Sequence, residues 1–246
     1  MCTVTWLATP GGYELFFNRD ELRSRLRARS PARGERGGVA FIAPMDGNSG
    51  GTWLLVNAHG LSVGLLNFYE ATSRARVDSH GRRWISRGQL VLDLASAVDA
   101  EDVSRCLAGL DLSRYRPFTL LAVEAERAAG TVWRFDGATL ARPPLELPFL
   151  TSSSYDAAAV DEARRPLLAR PGVWTVGGLL DFQRSHEPER GPLSPCMHRA
   201  DARTVSFSRI RVDGGNISFE YGDGPPCRTP LGTPVTLARI GHLARA

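Results

Sequence analysis

Lysine is missing altogether: all 30 basic side chains of the 246-residue chain are arginine, a usage that reflects a GC-rich genome rather than a function. Cysteine is scarce, at 4 residues (Cys2, Cys106, Cys196 and Cys227), too few for a disulfide framework in a chain of this length. No apolar run approaches the roughly eighteen residues of a membrane span, and no basic-then-apolar leader opens the chain. Internal repeats and low-complexity linkers are absent too. These absences predict a reduced, cytoplasmic protein without an integral membrane segment, built as a single domain over residues 1–246. They leave the oligomeric state open.

The net charge of +4 is modest. Arginine crowds only between Arg23 and Arg36, a stretch read as a solvated loop. No aromatic interleaving or recognition-helix pattern accompanies it, which excludes a nucleic-acid partner. Hydrophobic content of 43% and charged content of 23% are those of an ordinary globular protein.

Strand signals dominate the first third. Cys2–Ala8 alternates, Pro10-Gly11-Gly12 turns the chain, and Tyr13–Phe17 returns. Thr52–Asn57 and Leu61–Asn67 form a second hairpin across Ala58-His59-Gly60. A helix follows with Ser86 as N-cap, then another from Asp99 or Ala100 to Leu110 with Val103, Cys106, Leu107 and Leu110 inward. Strands Phe118–Ala125 and Thr131–Asp136 come next, then an irregular Pro143–Pro148 segment, then helices over Asp156–Leu168 and part of Thr175–Arg184. Thr204–Val212 and Asn216–Tyr221 pair across Asp213-Gly214-Gly215. This order predicts an α+β fold of two antiparallel sheets packed face to face with helices outside.

Chemistry concentrates at Met1-Cys2. A small residue at position two permits removal of Met1, which leaves a thiol and an α-amine on one residue. The amine, with a pKa of about 7.7–8.0, is poised to act as base for its own thiol. The alternative reading of Cys2 is a small hydrophobe buried in the first strand. The hairpin brings Cys2 close to the strand end that carries Asn18-Arg19-Asp20-Glu21. An arginine beside a thiol raises the thiolate fraction. Adjacent side chains of a strand point to opposite faces, so Arg19 and Asp20 both reach Cys2 only where the strand ends or bends.

Met1-Cys2-Thr3, Gly12-Tyr13-Glu14-Leu15-Phe16-Phe17-Asn18-Arg19-Asp20-Glu21, Gly50-Gly51-Thr52-Trp53-Leu54, Val56-Asn57-Ala58-His59-Gly60-Leu61 and Leu65-Leu66-Asn67-Phe68-Tyr69 follow one another in this order. On these motifs the chain resembles the NRDE family, that of transport and Golgi organisation protein 2. More distantly it resembles cysteine N-terminal nucleophile (Ntn) hydrolases of the choloylglycine hydrolase and penicillin acyltransferase type. That likeness implies a four-layer αββα sandwich with Cys2 as nucleophile, Arg19 holding the thiolate, Asp20 accepting from the α-amine and Asn67 donating to the oxyanion. It implies substrate contacts from Asn18 and from Ser152, which stands in the Thr151-Ser152-Ser153-Ser154 stretch where the acylases carry Asn.

The segment from Ser194 to Ser206 resembles stretches of bacterial members of the same family. Its Cys196, His198 and Asp201 match no closed zinc spacing, so no metal is expected. The segment is read instead as a pocket wall from which His198 and Arg199 contact substrate or a carboxylate. Cys227 reads as a loop residue.

Two functions fit. One is a cysteine amidohydrolase or acyltransferase acting on a small amide, without cofactor. The other is a non-catalytic protein holding an apolar ligand in the same cleft, since the resemblance implies links to haem movement and to lipid or acyl-CoA homeostasis. His198, Cys196 or Cys2 would then serve as axial haem ligands. No Cys-x-x-Cys-His attachment motif is present.

Overall fold

A computed structural model describes residues 2–75, 84–127 and 129–240. The chain opens with β1 (Cys2–Thr9) and β2 (Gly12–Leu22), joined by the Pro10-Gly11-Gly12 turn, where Gly11 takes a φ of +80° that other side chains rarely adopt. β3 (Arg29–Arg36), β4 (Val39–Met45), β5 (Leu54–Asn57) and β6 (Ser62–Asn67) follow, then helices α1 (Tyr69–Ala75), α2 (Arg87–Asp93) and α3 (Ala100–Ala108). Next come β7 (Phe118–Val123), β8 (Gly130–Phe135), β9 (Leu140–Ala141) and β10 (Phe149–Ser152). The rest is α4 (Ala157–Leu168), α5 (Val176–Arg184), β11 (Ala202–Val212), β12 (Asn216–Gly222) and β13 (Val235–Ala238).

All pairing is antiparallel within two sheets, ordered β10-β1-β2-β11-β12-β13 and β3-β4-β5-β6-β7-β8-β9. Alternation within each strand sorts side chains into three layers of core. On β7, Leu121 and Val123 face the other sheet, whereas Phe118, Leu120 and Ala122 meet Leu90, Leu94, Val103 and Leu107 of the helical layer. On the other sheet, Leu15 and Phe17 point between the sheets, and Phe16 and Phe207 pack under Leu167, Leu179 and Phe182 of α4 and α5. Strands buried on both faces explain why β6 and β7 read as nearly continuous apolar runs. Each fully buried Leu or Phe of this kind contributes roughly 1.5–3 kcal/mol. The architecture is the expected αββα sandwich. No helix of the described residues is long and apolar enough to cross a membrane.

Several expectations are corrected. The arginine-rich stretch is not all loop: Arg29–Arg36 forms β3, an edge strand whose side chains stay mostly in water. Cys106 is exposed rather than core, because the inward stripe of α3 is carried by Ala100, Val103 and Leu107. β2 runs to Leu22, past the expected Phe17, because Ala202–Val212 pairs along its whole outer edge. Asp99 caps α3 by accepting from the Asp102 amide, while Ser86 sits at the N-cap of α2 without a side-chain bond. Much of the loop expected at Glu70–Arg83 lies outside the described residues, apart from α1.

Candidate active site

Hairpin register places Cys2 directly opposite Arg19, and β10 places Ser152 opposite Cys2 on its other side. Strand alternation then decides which side chains share a face. Cys2, Val4 and Trp6 turn between the sheets, alongside Tyr13, Leu15 and Phe17 of β2. Thr3, Thr5 and Asn18 turn to the helical layer, where they bond Arg164, Gln183 and the Gln183 and Pro195 carbonyls.

At this end of the sandwich the two sheets part around a cleft of about 350 Å³ whose lining includes Cys2, Arg19, Asp46, Asn67, Arg87 and Arg116. Its volume lies within the range of small-molecule sites. The close approach of the β4–β5 turn to α2 forms one wall. A Cβ on Gly51 would stand 2.5 Å from the Gly88 carbonyl carbon, and the Thr52 amide donates to the Gly88 carbonyl at 3.1 Å.

Arg19 is held on three sides. Its Nη2 donates to Asp46 Oδ2 at 2.5 Å, Glu21 stands at 3.6 Å, and the guanidinium lies over the Trp53 ring at 4.1 Å. Asp46 in turn accepts from Arg25 and from the Asn48 and Ser49 amides. Burial alone would raise its carboxyl, but the Ser49 amide, Arg19 and Arg25 outweigh that and hold it below the usual carboxylate range. Neither Arg87, which donates to the Pro117 carbonyl at 2.8 Å, nor Arg116 pairs with a carboxylate among the described residues.

Burial pushes the Cys2 thiol above its ordinary value and the Asp20 charge adds to the rise, while the Asp20 backbone and the Arg19 charge pull it back. The Asp20 carboxylate turns the other way: Oδ1 accepts from Thr204 Oγ1 at 2.6 Å, and burial raises its pKa against the opposing pull of Arg164. A register shift in β11 between Thr204 and Ser206 lies opposite this Arg-Asp pair. Asn67 ends β6 and donates from Nδ2 to the Tyr69 hydroxyl at 2.7 Å. Ser152 is buried, and its Oγ has no hydrogen-bond partner among the described residues.

The structure therefore brings Cys2, Arg19, Asp20 and Asn67 to one cleft and sets Ser152 beside Cys2. It does not bring Asn18, His198 or Arg199 there: Asn18 anchors the helical layer, and Arg199 bonds Asp201 at 2.8 Å. His198 instead sits at 3.6 Å from Cys196 and 3.5 Å from Cys227. Sequence reasoning missed Asp46, Arg87 and Arg116. Only Asp46 carried a local signal, an Asp-Gly-Asn turn sequence whose carboxylate collects the following amides.

A family model described as Transport and Golgi organisation 2 matches residues 1–142. No curated protein matches the chain. Among solved structures, the chain is similar to a Caenorhabditis elegans N-acylethanolamine-hydrolyzing acid amidase (NAAA) ortholog, with a TM-score of 0.54 and 13% identity, covering 87% of this chain and 93% of that one. It is likewise similar to two variants of conjugated bile acid hydrolase from Clostridium perfringens, each at 13% identity. Their TM-scores are 0.57 and 0.54, and the matches cover 98% and 99% of this chain and 100% of each of those. The shared feature is the Ntn-hydrolase fold.

Proposed function

The chain belongs to the Transport and Golgi organisation 2 family, and we propose that it works as a cysteine amidohydrolase or acyltransferase on a small amide, with Cys2 as its N-terminal nucleophile. The observation that carries this reading is Cys2 facing Arg19 across the hairpin, both at the wall of the cleft. The names of two structural neighbours, an amidase and a hydrolase, support hydrolysis by this fold.

The reading requires a free α-amine on Cys2. Because Cys2 pairs with Arg19, that amine emerges on the side of Asp20, the next residue of β2, which orients it. The amine takes the thiol proton, and sulfur attacks the amide carbonyl carbon. A C–S bond forms as the carbonyl electron pair moves to oxygen. The unpartnered Ser152 hydroxyl and the second Asn67 Nδ2 hydrogen are the donors available to that oxyanion. Collapse breaks the C–N bond, the leaving nitrogen takes the proton from the α-ammonium, and water or an acceptor amine then cleaves the thioester.

Arg87 and Arg116 favour a substrate with an anionic end. The apolar part of haem or of an acyl lipid, the other reading, would have to bury the charged groups of Arg25 and Glu21 in the same cleft, which costs free energy. The test is hydrolysis of a panel of small amides, with and without a carboxylate, by wild type and Cys2→Ala. Release of amine by wild type alone supports the proposal, and equal rates for the two proteins contradict it.

A further inference from the structure

On the far side of the sheet from the cleft, four side chains from three segments of the chain meet. His186 follows the end of α5, Cys196 and His198 precede β11, and Cys227 lies in the turn after β12. Their donor atoms all lie within 4.8 Å of one another. His198 Nε2 stands 3.6 Å from Cys196 Sγ and 3.5 Å from Cys227 Sγ. The S–N edge of a zinc tetrahedron, built from bonds of roughly 2.3 and 2.0 Å, is about 3.5 Å. The His186 and His198 rings meet with centroids 5.1 Å apart, and His186 Nε2 is shielded from water with no hydrogen-bond partner among the described residues.

We propose that His186, Cys196, His198 and Cys227 bind one zinc ion as a closed structural site. Two thiolates and two imidazoles are a structural zinc ligand set, and they leave no coordination position open for substrate. The sequence hid it. Asp201, the acidic neighbour of Cys196 and His198 in sequence, is turned away to Arg199, and the other two ligands lie 10 residues before and 31 residues after Cys196.

Burial favours neutral groups at this cluster, lifting the Cys196 thiol to about 12 and lowering His198 to about 4. A dication reverses the balance for the thiols. Binding releases two protons and gives a site of zero net charge, which the nearby Arg190 and Arg228 tolerate. One contact must change. Arg190 Nη2 lies 3.4 Å from His198 Nδ1 and can only donate, whereas a histidine bound through Nε2 carries its hydrogen on Nδ1. The exposed Arg190 side chain therefore swings away when metal binds.

The metal would staple the wall behind the hairpin. The Cys196 amide donates to the Ser185 carbonyl at 3.0 Å. The adjoining Pro195 and Ser194 carbonyls accept from Asn18 at 3.0 Å and from Arg164 at 2.7 Å. The proposal does not depend on catalysis by Cys2.

The experiment is metal analysis of reduced, untagged wild type, Cys196→Ser, Cys227→Ser and, as control, the exposed-cysteine variant Cys106→Ser. We expect about one zinc per chain in wild type and control, and its loss from the other two. Because those variants are at risk of failing to fold, metal-free wild type is also titrated with cobalt(II). The expected result is the intense visible absorption of tetrahedral thiolate-bound cobalt at one equivalent, with a rise in melting temperature. Wild type that takes up neither zinc nor cobalt after reduction overturns the proposal, as does metal bound equally by all four proteins.

Discussion

Arg19 and Asp46 form a buried ion pair that fixes the cation facing Cys2: Nη2 and Oδ2 are 2.5 Å apart, and each side chain is less than a tenth exposed. Breaking such a pair from one side is costly, because the remaining charge stays buried. Arg19→Leu is expected to lose about 3 kcal/mol of stability and to leave Asp46 with Arg25 alone. It also removes a charge that draws the Cys2 thiol down, so amide turnover is expected to fall. Urea denaturation and steady-state rates check the two effects separately.

Asp46 sets an acid limit. Its folded pKa is depressed, so as pH falls the unfolded chain takes the proton first. Its contribution is complete above the unfolded carboxyl value of about 3.9 and is lost as pH drops through the folded value. Asp46→Asn is expected to be less stable at neutral pH and to show a shallower further loss below pH about 4 than wild type. Urea midpoints measured across that window give the slope.

Ser152 separates catalysis from folding. Its Oγ is buried and bonds nothing among the described residues, so Ser152→Ala, which removes a desolvated hydroxyl, is expected to leave stability unchanged or to raise it. If the hydroxyl holds the oxyanion, kcat falls on the order of 10²–10³ with KM little changed. An unaltered kcat would remove Ser152 from the mechanism.

How much of this was legible in the sequence depends on how local each feature is. The first hairpin announced itself through Pro10-Gly11-Gly12 and alternation, and with it came the Cys2–Arg19 pairing. The αββα layering was readable because strand and helix periods switch cleanly between β6 and β11. β3 stayed hidden because its exposed arginines show no apolar period. β10 and β13 are four residues each, too short to display one. Pairs formed only by tertiary packing, such as Arg19 with Asp46 or His198 with Cys227, leave no trace in spacing.

Arg164 was likewise invisible as a site residue, yet it is fully buried and donates to Thr3, Thr151 and the Leu193 and Ser194 carbonyls. Burial lowers its pKa to about 10. Arg164→Met strips these acceptors of their donor at roughly 1–3 kcal/mol for each one left unsatisfied. It is expected to be the most destabilising of the substitutions named here, as a melting curve will show.

The central claim is that Cys2 attacks as an N-terminal residue, and intact-mass spectrometry of protein quenched during turnover of an amide substrate tests it most directly. The account predicts a chain lacking Met1 that carries one acyl group in wild type and none in Cys2→Ala. A chain that retains Met1 while hydrolysing amides, or an acyl group that persists in Cys2→Ala, would contradict it.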